Sequence, residues 1–205
     1  MHHQDRLRAA YPLLCGLLEQ LSPLPELVPQ PLPVAEAVTK IVVGQMLSRV
    51  AADTIYARLA DLRDRRQLEG CWKLAEADLV VCGLSRRKVR TVREFAACYE
   101  RDPASFEAWR DLDYPELSAA VSGHWGMSQW SADMLAIFYF AKPDVFPATD
   151  GTLIRVRRIL EENYLQGPLQ PDLAKPFRTS LARYMWAFLD RGFLDRKRGG
   201  SIQTE

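Results

Sequence analysis

The sequence predicts an all-α protein with short connections. Apolar residues recur at helical spacing through most of its 205 residues, proline-rich stretches separate those runs, and no stretch sustains strand alternation between turn signals. After the N-terminal run "MHHQDRLRAAYPLLCGLLEQL" and the break "SPLPELVPQPLP", the segment "PVAEAVTKIVVGQML" places Val34, Val38, Ile41, Val42 and Met46 on one stripe. "AADTIYARLADLRDRR" does the same with Ile55, Leu59 and Leu62. The short "DLVVCGL" is the one segment that reads as a strand. "SRRKVRTVREFAACYERD" opens at Ser85, a good N-cap, and repeats Val89, Val92, Ala96 and Tyr99 on one face. "SQWSADMLAIFYFA" is apolar nearly all round, which predicts a central buried helix. A second break, "KPDVFPATDG", precedes the helix "TLIRVRRILEENYL"; a third, "LQGPLQPDLAKP", precedes "FRTSLARYMWAFLDRGFL". Asp144 precedes the proline of the second break and reads as a turn residue.

The composition is that of an ordinary globular chain, with 48% hydrophobic and 26% charged residues. No run approaches the roughly eighteen apolar residues of a membrane span, and the N-terminus lacks a signal-peptide layout, so a cytoplasmic protein is expected. Cys15, Cys71, Cys82 and Cys98 form no C-x-x-C pair, and nothing after Cys98 completes a cluster, which predicts free thiols and no metal or Fe–S site. The net charge of +1 does not by itself mark a nucleic-acid binder. The cations are nonetheless grouped: Arg86 to Arg93, Arg155 to Arg158, and the tail with Arg196, Lys197 and Arg198.

The segment "GHWGMSQWSADMLAIFYFAKPDVFPATDGTLIRV" resembles the hairpin and Gly/Pro…Asp block of the helix-hairpin-helix DNA glycosylase superfamily. "EAVTKIVVGQMLSRVAADTIYARL", "VCGLSRRKVRTVREFA" and "RRILEEN" are similar to further segments of that superfamily, in the same order, so the resemblance runs from about Pro33 to Tyr164. It implies a two-lobed helical fold: a central lobe over 33–147, and a second built from 1–32 with 148–205, with DNA across the cleft between them.

The same resemblance implies roles for residues. Gly126, Met127 and Ser128 form the hairpin, whose backbone N–H groups would hold a DNA phosphate, with Arg86 and Arg155 as further DNA contacts. Ser128 stands where the pattern has a second glycine; serine tolerates a positive φ poorly but can cap the next helix. A monovalent cation on the hairpin carbonyls is compatible with the resemblance, and no other cofactor is implied. Bifunctional relatives carry a nucleophilic lysine four residues after the first hairpin glycine. Here that position is Trp130, which implies a monofunctional enzyme of the alkylation-repair branch without an Fe–S cluster.

Asp150, which local pattern alone reads as an N-cap, falls on the superfamily's catalytic aspartate. Gln45, Met46 and Leu47 fall in the loop that enters DNA, Met46 or Leu47 as wedge and Gln45 towards the orphan base. Trp125, Trp130, Tyr139 and Trp186 are candidate linings of the base pocket. His124, just before the hairpin, reads as a surface or phosphate-facing residue.

The expected partner is double-stranded DNA containing a damaged base, an alkylated purine before a deaminated base. The protein is expected to act as a monomer, associated with the nucleoid if bacterial. A fold relative that recognises distorted or abasic DNA without cleaving it is the alternative.

Overall fold

The computed structural model describes residues 3–194, so Arg196, Lys197 and Arg198 of the basic tail lie outside the described residues. The described residues form helices α1 (His3–Ala10), α2 (Cys15–Gln20), α3 (Val34–Gly44), α4 (Arg49–Arg65), α5 (Glu76–Val81), α6 (Arg86–Arg101), α7 (Pro103–Glu107), α8 (Tyr114–Ser122), α9 (Gln129–Phe138), α10 (Gly151–Asn163) and α11 (Arg178–Asp190), with short 3₁₀ turns and no strand among them. The segment read as a strand, "DLVVCGL", is instead α5 and its exit. Glu76 and Asp78 sit in the first turn of α5, where the helix dipole favours carboxylates, and only Asp78 and Leu79 of this helix are buried. A half-exposed six-residue helix has too few apolar contacts for a 3.6 period to show against a period of two. None of the helices is long and apolar enough to cross a membrane.

The chain divides into two compact units, residues 27–141 and residues 1–26 with 142–205. The first division point precedes Pro33 because Arg110 donates to the carbonyls of Gln30 and Leu32, tying that proline-rich segment to residues 27–141. The second precedes residue 148 because Thr179 and Arg178 of α11 hold Lys142 to Val145.

In the 27–141 unit, α3 packs against α4, α6 and α9, and α8 pairs with α9. The stripe expected on α3 is buried at Val34, Val38, Ile41 and Val42 but ends at Gly44, so Met46 does not extend it. Ser85 caps α6 by accepting from Lys88 N, and Val89, Val92, Ala96 and Tyr99 are buried as the period predicts. Residues Ser131 to Ile137 of α9 are all buried, which fits its apolar circumference.

Glu36 is a buried carboxylate on α3. It accepts from Tyr56 Oη and, at 2.7 Å, from the backbone N–H of Cys71, with Arg63 at 3.7 Å. Burial first and Glu36 second push the Tyr56 phenol well above its usual range; the same two causes push the Cys71 thiol up to about 12. That thiol is a packing group, not a nucleophile. Glu36→Ala would strand the Tyr56 hydroxyl and the Cys71 N–H in the interior. A loss of about 2–4 kcal/mol is expected by urea unfolding, with a smaller loss for Glu36→Gln, whose one oxygen can keep Cys71 N–H while its NH₂ donates to Tyr56 Oη.

In the other unit α10 and α11 pair, and α1 packs against α2 and α11. Leu153, Val156 and Leu160, at i, i+3 and i+7 of α10, are buried against Leu7, Leu14, Tyr184, Met185 and Phe188. Each such side chain contributes roughly 1.5–3 kcal/mol relative to exposure. This core fixes the axis of α10, and with it the residue at its N-terminus.

Candidate functional site

The approach to α10 is held rigidly. Arg178 forms a fork on Asp144, Nε to Oδ1 at 2.8 Å and Nη2 to Oδ2 at 3.0 Å. Thr179 Oγ1 donates to Lys142 O at 2.7 Å and accepts from Val145 N at 3.0 Å. Asp144 is therefore the counter-ion of α11 and not simply a turn residue. Beyond it, Ala148 N bonds Phe146 O and Asp150 N bonds Pro147 O, closing the turn that delivers Asp150.

Asp150 is 9% exposed and sits at the N-cap of α10. Its Oδ1 accepts from Leu153 N at 2.9 Å and from the indole Nε1 of Trp186 at 3.1 Å. Two directed donors and the positive end of the helix dipole fix the orientation of this carboxylate. The cap expected from local pattern is present, and it is compatible with chemistry at the same group. Trp186, expected only as a pocket lining, is also a donor to Asp150. Arg155 is exposed on α10.

In the 27–141 unit the hairpin runs from the end of α8 to the start of α9. Gly126 has φ +76, and a Cβ placed there would lie 2.1 Å from Thr91 Oγ1 and 2.9 Å from Thr91 Cγ2. Only glycine fits both that conformation and that approach to α6. Ser128, in contrast, has φ −144 and ψ 174, extended backbone open to any residue, so the second glycine of the pattern is not needed here. Its N–H points at Ser131 Oγ at 3.4 Å, at the start of α9. Met127 is buried and Ser128 exposed.

His124 is not a surface group. Its ring lies 5.1–5.6 Å from those of Phe95, Phe106 and Trp109, and burial lowers its pKa, which favours the neutral imidazole. It anchors the hairpin in an aromatic box. The sequence carried no sign of this arrangement, because its members come from three segments.

The loop between α3 and α4 comprises Gln45, Met46 and Leu47, with Ser48 capping α4 by accepting from Ala51 N. Met46 has φ +55 and is 99% exposed; Leu47 is 42% and Val50 76% exposed. Holding a non-glycine residue in the left-handed region costs about 1–2 kcal/mol, so an apolar side chain is presented to water from a strained backbone. The Gln45 side chain does not point out as a reader of an orphan base. Its Nε2 donates to Gly126 O at 3.1 Å and Ser131 Oγ at 3.2 Å. Lys88 Nζ donates to Val43 O at 2.8 Å, at the end of α3. Gln45 was expected at DNA and Lys88 only as part of the Arg86–Arg93 cationic group, whereas Ser131 and Thr91 were not singled out at all.

The expected pocket residues fall in different settings. Trp125 is exposed and lies under the Arg90 guanidinium at 4.0 Å, a cation–π stack. Trp130 is half-buried at the start of α9. Tyr139 is buried, its phenol pushed above its usual range by burial, and its carbonyl accepts from Gln30 N. Arg86 is exposed in the first turn of α6, a turn with no acidic residue. No group of three or more His, Cys, Asp or Glu arranged for a metal occurs among the described residues.

No family model matches the chain. It is 28% identical over 163 residues to DNA-3-methyladenine glycosylase 1 of Schizosaccharomyces pombe, covering 74% of this chain and 70% of that protein. It is 24% identical over 178 residues to the alkylbase DNA glycosidase-like protein mag2 of the same yeast, covering 81% and 80%. In fold it matches the S. pombe 3-methyladenine DNA glycosylase solved in complex with abasic DNA, with a TM-score of 0.77 over 93% of this chain and 97% of that one at 21% identity. It also matches the DNA-3-methyladenine glycosidase of Bacillus halodurans, with a TM-score of 0.71 over 92% and 89% at 21% identity. These bear out the resemblance read from the sequence and the all-α fold.

Proposed function

We propose that this chain, which resembles the helix-hairpin-helix DNA glycosylases in sequence and shares their fold, is a monofunctional DNA N-glycosylase. It hydrolyses the bond between a damaged base and its deoxyribose and leaves an abasic site. The observation that carries this reading is Asp150: a buried carboxylate oriented by Leu153 N–H and Trp186 Nε1. The 3-methyladenine and alkylbase names of its relatives support alkylated purine as the substrate class. The relative solved with abasic DNA supports DNA as the partner, and the protein would work wherever that DNA is held.

The chemistry follows from the groups present. As the N-glycosidic bond lengthens, its electron pair leaves with the base and positive charge grows on the sugar, an oxocarbenium-like state. A cationic alkylated base leaves as a neutral molecule and is already a good leaving group. The carboxylate of Asp150 stabilises the sugar cation electrostatically and takes the proton of the water that attacks C1′. Trp130 occupies the position where a lysine would attack instead, so no Schiff base forms and the strand is not cut.

The hairpin grips a phosphate with its N–H groups, Met46 and Leu47 enter the stack, and Trp130 offers an aromatic face to the extruded base. The hairpin carbonyls of Val121, His124, Gly126 and Ser128 each accept one hydrogen bond, from His124 N, Met127 N, Gln45 Nε2 and Ala132 N, and keep a second lone pair that could face a monovalent cation; no step is assigned to one.

The test uses labelled duplexes, each carrying one 7-methylguanine, ethenoadenine, hypoxanthine or uracil. Strand cleavage is expected after alkali and not before, strongest for the alkylated purine. Cleavage before alkali would overturn the monofunctional assignment. Binding to every duplex without base release would replace it with non-catalytic recognition of damaged DNA.

A further inference from the structure

We infer that Gln45 is a positioning residue that couples the hairpin's grip on phosphate to the wedge at Met46 and Leu47. The inference rests on the glycosylase reading and adds to it a specific mechanical link.

Gly126 O can only accept, so the Gln45 amide must present its NH₂ group there; that fixes the orientation of the side chain by chemistry. The second acceptor, Ser131 Oγ, is fully buried at the start of α9 and also lies within reach of Ser128 N. One side chain therefore touches both the turn that would hold phosphate and the first turn of the helix behind it. The next residue along the chain is Met46, the most exposed large apolar side chain of the described residues, on left-handed backbone.

The loop is also short. Gln45 N bonds Ile41 O, Leu47 N bonds Gly44 O, and Ser48 begins the next helix, so only three residues lie between α3 and the cap of α4. Lys88 holds Val43 O from the α6 side. The charged and polar groups that fix this loop are thus Lys88 on one flank and the Gln45 amide on the other. Without the amide, nothing among these contacts ties Met46 to the register of the hairpin. An orphan-base contact is therefore not the work of this side chain in the free protein; its amide is committed to the hairpin.

The link predicts a specific non-additivity. Gln45→Met keeps the length of the side chain and removes both donated hydrogen bonds. In otherwise wild-type protein it should lower single-turnover excision of an alkylated purine roughly tenfold, within what the two lost hydrogen bonds represent. The fluorescence rise of a 2-aminopurine placed beside the lesion, which reports extrusion, should fall with it. Affinity for undamaged duplex, and its slope against salt, should stay at wild-type values, because the phosphate grip is intact.

In a Met46→Ala/Leu47→Ala background, which has no wedge to position, Gln45→Met should change excision less than twofold. Ser131→Ala, which removes one of the two acceptors, should show the same pattern at smaller amplitude. It provides the test if Gln45→Met fails to fold, as judged by its thermal melt.

A full tenfold loss in the wedge-deleted background, an equal loss of undamaged-duplex affinity, or wild-type extrusion in Gln45→Met would each overturn the coupling. Wild-type protein run alongside separates the two levels: duplex binding without excision by wild type would sink the glycosylase reading itself, and the coupling with it.

Discussion

Asp150→Asn is expected to abolish base release while leaving the protein folded. Asparagine is as good an N-cap as aspartate, and its side-chain oxygen can accept from both Leu153 N and Trp186 Nε1, the two donors that Asp150 Oδ1 serves. Unfolding free energy should therefore change by about 1 kcal/mol, the size expected from losing one charge at a helix N-terminus. The chemistry changes far more. An amide carries no charge to set against the sugar cation and cannot take the proton of the attacking water. Loss of a directed electrostatic group or a general base lowers rate by roughly 10²–10⁴-fold. Single-turnover excision of 7-methylguanine, set beside a urea melt and binding to an abasic duplex, checks all three expectations. Activity within tenfold of wild type would remove Asp150 from the reaction. A large fall in stability would mean that its charge is structural.

At Asp150, sequence and structure divide the work. Asp followed by a glycine and a helical pattern identifies a cap, and the order of the neighbouring segments marks the same residue as a catalytic candidate. Neither reveals Trp186, which reaches Asp150 from 36 residues away in the chain. Helix positions were legible wherever burial was continuous, as on the α6 face from Val89 to Tyr99. They were not legible at α5, where two buried residues in six carry too little period.

The hairpin departs from its pattern in a way that only backbone angles explain. A glycine-to-serine change suggests lost function if the position needs a positive φ, yet Ser128 is extended. Met46 carried two readings, the end of a buried stripe and a wedge; α3 ends two residues earlier and turns it outward, so only the stripe reading fails. Gln45 and His124 were legible as residues near the site but not by partner. Hydrogen bonds and ring contacts between distant segments leave no periodic trace in a single sequence.

Gly126→Val should be strongly damaging to the 27–141 unit. Two independent penalties fall on one residue. The first is conformational: φ +76 is open to glycine and worst for a β-branched side chain, at a cost of about 2 kcal/mol or more. The second is steric: the new Cβ would lie 2.1 Å from Thr91 Oγ1. Thr91 cannot swing away cheaply, since it is buried and its hydroxyl donates to Arg87 O at 3.0 Å. Overpacking of this kind adds about 1–3 kcal/mol, so a total loss of at least 3 kcal/mol is expected by urea unfolding.

Duplex affinity should fall even where the protein remains folded, because the N–H groups that would hold phosphate are the ones displaced. Gly126→Ala with and without Thr91→Ala separates the two penalties. Removing Oγ1 and Cγ2 of Thr91 relieves the two closest contacts but leaves Thr91 Cβ at 3.0 Å and the positive φ untouched. The pair should therefore be non-additive, with Thr91→Ala recovering only part of the stability lost by Gly126→Ala. Full recovery would mean that the turn gives way in φ and that the glycine is there for space alone. No recovery would mean that the left-handed conformation itself is what the hairpin cannot do without.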